Sequence, residues 1–590
     1  MHGAAELEKT KGMDAFGIAI VGSLLVYLVV GNLAGRKVKH LDDYFVAGRN
    51  APTFLILGTL VASVIGTNSF LGDVSMAYSG YATPLIWSVP VCVLGYILGG
   101  LYFGRYLRRA ESLTVAEFFG RRFASRRIRV LAGILVLLGL GGYLTTVTMG
   151  AGLILPKITD LTYVQALFIV WFGYSAFTFY AGSQGVVITD TIMFMFFSVV
   201  GVISLSFILG SSGGWFASVE KLATLDTREG IISAASYLGP GATWESTTDI
   251  WIWTAIFGVS WGIVFAISPW QSSRYLMARD EHVVMRSACI TTVVLSVLWP
   301  IVYFAGTAVA IHNSHIDPPA EAMIWAALNL MPPVAGALLL AGILSAGLSS
   351  ASTFLSLTGF AVTNDIMQQT ELDEAKRLRL TRFTVLTIGI AALIVAVFAP
   401  PNIFWITTFV AQAFAACWGP VAFMSVWSKS TTESGAFWGM VAGIVTCIVL
   451  QLAALFELFS MPVYLHPILI GAVISYLTIL IVSHGGSISE EEKQFLAKIH
   501  IAPPELADKA AAAVTMIWPK VLIAWGFVCG IGLIVFYARP YQAATGQLTE
   551  GGPYVVWSGE LLLALVFGGL MLAGGLFSHW AIKRFYASGI

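Results

Sequence analysis

The chain has 590 residues, 57% of them hydrophobic and 11% charged, and no soluble globule of that size is so apolar; the reading is a polytopic membrane protein. Its mean hydropathy is +0.82. The 32 basic residues balance the 32 acidic ones, so net charge names no partner, and no basic patch of the kind that binds nucleic acid stands apart from the membrane faces.

A helix needs about 20 mostly apolar residues to cross the hydrocarbon. On that rule the chain predicts an all-α fold with roughly fifteen spans. They fall near 13–34, 53–78, 82–107, 128–155, 161–180, 185–210, 249–277, 286–312, 335–367, 380–400, 402–427, 433–458, 464–484, 515–538 and 554–583. The first follows a polar N-terminal stretch and lacks a small-residue cleavage site, so it reads as a retained span rather than a signal peptide.

The second span is interrupted. "LVASVIGTNSFLGDVSMAYSGY" puts Gly66, Asn68 and Asp73 at membrane depth. The seventh is interrupted too, because Pro269 in "WGIVFAISPWQSSRYL" removes a backbone donor. Unsatisfied backbone in a membrane is tolerated only where protein covers it or where it lines a cavity. The two breaks lie five spans apart, so the second meets the membrane in the opposite sense. That predicts an inverted repeat of five plus five helices, 53–210 and 249–427, with binding sites at the breaks. Residues 1–52 carry the N-terminal end, the first span and a loop. Residues 211–248 form an extracellular loop, and 428–590 form peripheral helices.

The ninth span carries the stretch "AGILSAGLSSASTFLSLTGFAVTND". Ser345, Ser349, Ser352 and Ser356 recur at spacings of four, three and four, which places them on one helix face. Two readings are open on the residues alone: close packing through small residues, or a site for a hard cation, which takes oxygen ligands. Asp190 in "VVITDTIM" is also open: a carboxylate inside a membrane is a functional candidate, or a helix-start carboxylate facing the N-terminal dipole.

Near 485–514, "SEEEKQFLAKIH" predicts an amphipathic helix in a cytoplasmic linker. If the N-terminus lies outside, only Lys9, Lys11, Lys157, Lys221, Arg228 and Arg539 of the 32 basic residues fall outside. The dense patches Arg105–Arg109, Arg121–Arg129 and Lys376–Arg382 then lie at the inner face, as the positive-inside rule requires. The reading is a multi-pass protein of the plasma membrane, N-terminus out and C-terminus in. Cys92, Cys289, Cys417, Cys447 and Cys529 all fall in spans and make neither a disulfide framework nor a metal-ligand spacing. There is no phosphate-cradling GxxxxGK and no HExxH. No catalytic set is expected.

Six stretches, "DDYFVAGRNAP", "SLTVAEFFGRRF", "GSQGVVITDTIM", "SPWQSSRYLMARD", the serine-rich stretch and "AACWGPVAFMSVW", run from Asp42 to Trp427 in the order of a known family. The chain resembles the solute:sodium symporters, which include bacterial proline and sugar symporters. The resemblance implies a leucine-transporter-type inverted repeat, with one extra helix before the ten-helix core and more after it. It implies a transporter in which an inward sodium gradient drives uptake of a small organic solute such as an amino acid, a sugar or a carboxylate. A solute sensor that signals to a partner, and a proton-coupled symporter, stay open as alternatives. Oligomeric state is left open.

The resemblance also implies sites. The sodium set would be backbone carbonyls of Ala62, Ile65 and Ala346 with the hydroxyls of Ser349 and Ser350. A second sodium would use Asp190 with Ser349, Ser352 and Thr353. The chain departs from the proline-type pattern at Val64, where those members carry an acid, and only Ser69 partly matches the sugar type. Solute-lining candidates are Asn68, Ser69 and Asp73 beyond the first break, Trp261 eight residues before Pro269, and Gln412 eight residues before Pro420. Arg274 matches the family's arginine in "RYLMARD" and reads as structural or gating.

Overall fold

A computed structural model describes residues 2–36, 38, 40–368, 372–399, 402–456, 458 and 461–588. The side chains of Lys9 and Lys11, and positions 400 and 457 near two expected span ends, lie outside the described residues. All elements of the described chain are helices, with one isolated backbone bridge between Ala51 and Ala278.

Among the described residues, twelve helices are long and apolar enough to cross a membrane. Three more apolar helices are shorter: Thr53–Ala62, Tyr163–Ala176 and Pro467–Ser483. The expectation of fifteen spans is therefore not confirmed by helix length. Thr53–Ala62 is cut short by the break after Ala62 and Tyr163–Ala176 precedes the kink at Gly182, while Pro467–Ser483 is a continuous helix of 17 residues. Seven segments position the site: α1 (Thr53–Ala62), α2 (Gly182–Ser211), α3 (Thr247–Ile267), α4 (Pro269–Met277), α5 (Glu281–Ala308), α6 (Pro333–Phe360) and α7 (Ile403–Trp427).

Each interruption has a local cause. Beyond α1 the backbone turns at Ser63–Gly66, where Val64, Ile65 and Gly66 are weak helix formers. Between α3 and α4, Ser268 is extended (φ −61°, ψ 149°) and Pro269 takes the first position of the next helix, where its missing N–H costs nothing. The sixth expected span is separated from the fifth at Gly182, whose φ of 50° and ψ of −150° suit only glycine. A Cβ there would lie 2.5 Å from the Tyr44 ring.

The core packs backbone on backbone. Ideal Cβ atoms on Gly95, Gly99 and Gly58 would meet main-chain atoms of Gly262, Ala266 and Thr191 at 2.0, 2.6 and 2.8 Å, so glycine is what lets these helices approach. The loop 211–248 carries a short helix, Trp215–Ala223. The linker contains the expected helix, Glu490–His500, capped by Ser489 and Glu492, and it buries Glu492, Phe495, Leu496 and Ile499 at helical spacing.

Candidate functional site

At the first break the last carbonyls of α1 lose their helical donors. α6 brings hydroxyls to one of them. Ser349 Oγ and Ser350 Oγ lie 3.3 and 3.4 Å from the Ala62 carbonyl. A Cβ on Gly66 would sit 2.6 Å from Ser350 Oγ and 3.6 Å from the Ala346 carbonyl, so Ala346 shares this space with the serines. Ile65 precedes Gly66 on the same turn and is 1% exposed. Ala62, Ala346, Ser349 and Ser350 of the expected sodium set thus share one locus, and Ile65 lies in the adjoining turn.

The serine stripe splits in two. Ser345, Ser352 and Ser356 donate to carbonyls of their own helix, at Ala341, Ser349 and Ser352, over 2.6–2.8 Å. Tyr27 Oη also meets Ser345 Oγ at 2.7 Å. These three hydroxyls serve packing. Only Ser349 and Ser350 turn toward the break.

Asp190 is fully buried on α2, well inside the helix rather than at its start. Thr59 Oγ1 donates to its Oδ2 at 2.6 Å, Ser349 Oγ to its Oδ1 at 2.7 Å, and Thr353 Oγ1 to its Oδ2 at 3.5 Å. Arg274 of α4, 1% exposed, pairs with it at 3.3 Å. The same guanidinium donates to Thr353 Oγ1 at 2.5 Å and to Thr59 Oγ1 at 3.1 Å. Ser352 of the expected second-sodium set is not brought to Asp190, because its hydroxyl is held by the Ser349 carbonyl one turn back. Arg274 is the neighbour that sequence spacing did not place here.

Next to the first break lies a cavity of about 30 Å³ between both halves of the core. By volume it holds roughly two waters. Asn68, Ser69, Asp73 and Trp261 all line it, with Tyr143, Trp299 and Tyr303. Tyr303 Oη donates to Asp73 Oδ2 at 3.2 Å, and Trp299 Nε1 to Ser69 Oγ at 3.4 Å. Asn68 Nδ2 donates to Thr146 Oγ1 at 3.4 Å, which leaves Asn68 Oδ1 without a partner. Trp261 Nε1 is likewise buried and unpartnered. An orphan acceptor and an orphan donor in one cavity cost free energy unless a ligand or water meets them.

Gln412 is not part of this cavity. It lies on α7, and its Oε1 accepts from Gln451 Nε2 at 3.3 Å, so it bridges to the helix Glu433–Leu455. The sequence reasoning missed Tyr303, Trp299 and Thr59. Aromatic and threonine residues in apolar spans carry no local signal that separates lining from packing.

A model of the sodium:solute symporter family matches residues 44–443. The sodium/pantothenate symporter of Haemophilus influenzae is 24% identical over 452 residues, 73% of this chain and 90% of that protein. The sodium/proline symporter of Escherichia coli is 24% identical over 477 residues, 75% of this chain and 88% of that protein. Among solved structures, a Na+-coupled sialic acid symporter in a substrate-bound outward-open state superposes with a TM-score of 0.68 at 16% identity, covering 80% of this chain and 97% of its own. Mhp1, a nucleobase-cation-symport-1 transporter in a closed conformation, superposes with 0.52 at 13% identity, covering 77% and 98%. The fold is therefore the leucine-transporter type, and the chain belongs to the sodium:solute symporter family.

Proposed function

We propose that this protein couples inward sodium flux to uptake of a small organic solute by alternating access, with the ion at the break between α1 and α6 and the solute in the adjoining cavity. One observation carries the ion site: Ser349 and Ser350 face the carbonyl freed at Ala62. Sodium is a hard cation, and hydroxyl and carbonyl oxygens hold it without burying an opposing charge. Ala62, Ile65, Ala346, Ser349 and Ser350 are the proposed ligands.

The Asp190 cluster supports one sodium per cycle rather than two. The Arg274 guanidinium already neutralises this carboxylate. For a second cation, the guanidinium's repulsion, about 4 kcal/mol at about 4 Å and an effective dielectric of 20, offsets the carboxylate's pull. Asp190, Thr353 and Arg274 then form a buried tie between α2, α6 and α4.

The solute would meet Asn68, Ser69, Asp73 and Trp261. The cavity is too narrow for an amino acid or a sugar, so binding belongs to a wider conformation of the same site. We place the N-terminus outside and the C-terminus inside, with the repeats at 53–210 and 249–427, in the plasma membrane. Each sodium moving inward contributes about 2.3 kcal/mol per 100 mV of membrane potential.

The test is thermal unfolding of the purified protein against sodium concentration. Ser350→Ala keeps the small volume that packing needs and removes one oxygen. It should raise the sodium concentration for half-maximal stabilisation by about tenfold, the scale of one lost polar contact. An unchanged sodium curve refutes the ion site. Sodium-gradient-driven accumulation in proteoliposomes separates transport from sensing, and accumulation under a pH gradient without sodium would assign the coupling to protons.

A further inference from the structure

We infer that the solute carries an ammonium group, and that Asp73 is the residue that selects it. The inference rests on the cavity being the solute site, as proposed above. Asp73 is the one acidic side chain among the lining residues, and no lysine, arginine or histidine lines the cavity with it. Its side-chain partners are neutral hydroxyls, Tyr303 Oη at 3.2 Å and Ser69.

Three carboxylates with no exposed surface are paired with cations. Asp190 has Arg274, Asp365 has Arg129 and Glu281 has Arg105. Asp73 belongs to none of the ion pairs among the described residues. Burying a carboxylate away from water is costly unless a cation or a proton compensates it. In this site the compensating charge arrives with the solute.

The walls fit the same class. Tyr143, Phe257, Trp261, Trp270, Trp299 and Tyr303 line the cavity. Aromatic faces attract ammonium groups, most strongly where water is excluded. The unpartnered Asn68 Oδ1 and Trp261 Nε1 offer an acceptor and a donor for the rest of the solute. A sugar would leave the charge at Asp73 uncompensated. A solute that is only an anion would be repelled by it. Primary amines, quaternary ammonium compounds and zwitterions with an accessible ammonium end meet all three features.

The experiment is a ligand panel on the full-length protein in detergent, read by thermal shift with and without sodium. The probes are choline, ethanolamine, glycine betaine and proline, against glucose, pyruvate and pantothenate. At least one ammonium compound should shift the melting temperature in sodium, and the sugar and the anions should not. Asp73→Asn should then weaken the ammonium ligand about tenfold or more, the scale of a hydrogen bond to a charged group. The sodium-only shift of that variant should match the parent, which shows that it folds with its ion site intact. If Asp73→Asn does not fold, the wild-type panel still decides.

No shift from any ammonium compound overturns the inference, as does an equal or larger shift from glucose or an anion. So does an Asp73→Asn variant with unchanged affinity, which is the behaviour of a carboxylate that stays protonated. Sodium-dependent binding of glucose or pyruvate would overturn the ammonium assignment and leave sodium coupling standing. Loss of all sodium dependence in the parent would instead overturn the coupling itself.

Discussion

Ser349, Ser350 and Arg274 show how few atoms decide the chemistry. Five serines share one helix region, yet only two aim their hydroxyls at the break. Arg274 pairs with Asp190 at 3.3 Å, which underlies the proposal of a single sodium. Two outcomes follow at this scale. The sodium Hill coefficient of transport should be one, and a value near two would show that Arg274 leaves the carboxylate during the cycle. Asp190→Asn should lower the unfolding free energy by about 3–5 kcal/mol, because it strands a buried guanidinium. Thermal unfolding in detergent reads this as a lower melting temperature. A near-silent Asp190→Asn would mean that Arg274 finds other acceptors or water.

Breaks in helices are the elements that create the sites, and glycine controls two of them. A Cβ on Gly66 would stand 2.6 Å from Ser350 Oγ, in the space proposed for the ion. Gly66→Ala should therefore abolish sodium-dependent stabilisation while the melting temperature without sodium stays near the parent's. If the sodium shift survives, the ion lies elsewhere. Gly182 does a different job. Its backbone conformation and its approach to Tyr44 both exclude a side chain. Gly182→Ala should cost about 1–3 kcal/mol of stability, as strained backbone does, with sodium affinity in the surviving folded protein unchanged.

Across the whole molecule, the proposed ion and solute sites meet at the first break, so each should sense the other. Binding free energies are reciprocal, and the usual coupling is roughly 5–150-fold. Solute affinity in sodium and in choline-free potassium buffer, and sodium affinity with and without solute, should change by the same factor. Equal affinities would remove coupling. Orientation is tested by single cysteines in a variant lacking the five native ones. Glu229→Cys should react with an impermeant thiol reagent on intact cells, and Glu491→Cys only after permeabilisation. The reverse pattern would invert the topology.

The broad class was legible because membrane insertion is a one-dimensional problem, in which hydropathy along the chain sets which segments can cross. Pro269 and the interruption near Gly66 were readable because they act on their own backbone. The neutral-oxygen locus was legible only through family order, since carbonyl donors such as Ala62 leave no mark in side-chain chemistry. What local pattern could not decide was direction. Ser352 and Ser349 have the same chemistry and one helix face, but one hydroxyl bonds back along its helix and the other crosses to Asp190. Gln412 was placed near the solute by its spacing from Pro420, yet Gln451 on the next helix bonds to it outside the cavity. The Arg274–Asp190 pair and the Tyr303–Asp73 contact join residues 84 and 230 positions apart. Composition and periodicity determined a bundle of interrupted apolar helices. Only the packing of those helices decided that Asp190 pairs with Arg274 and that Asp73 lines a cavity with no cationic side chain.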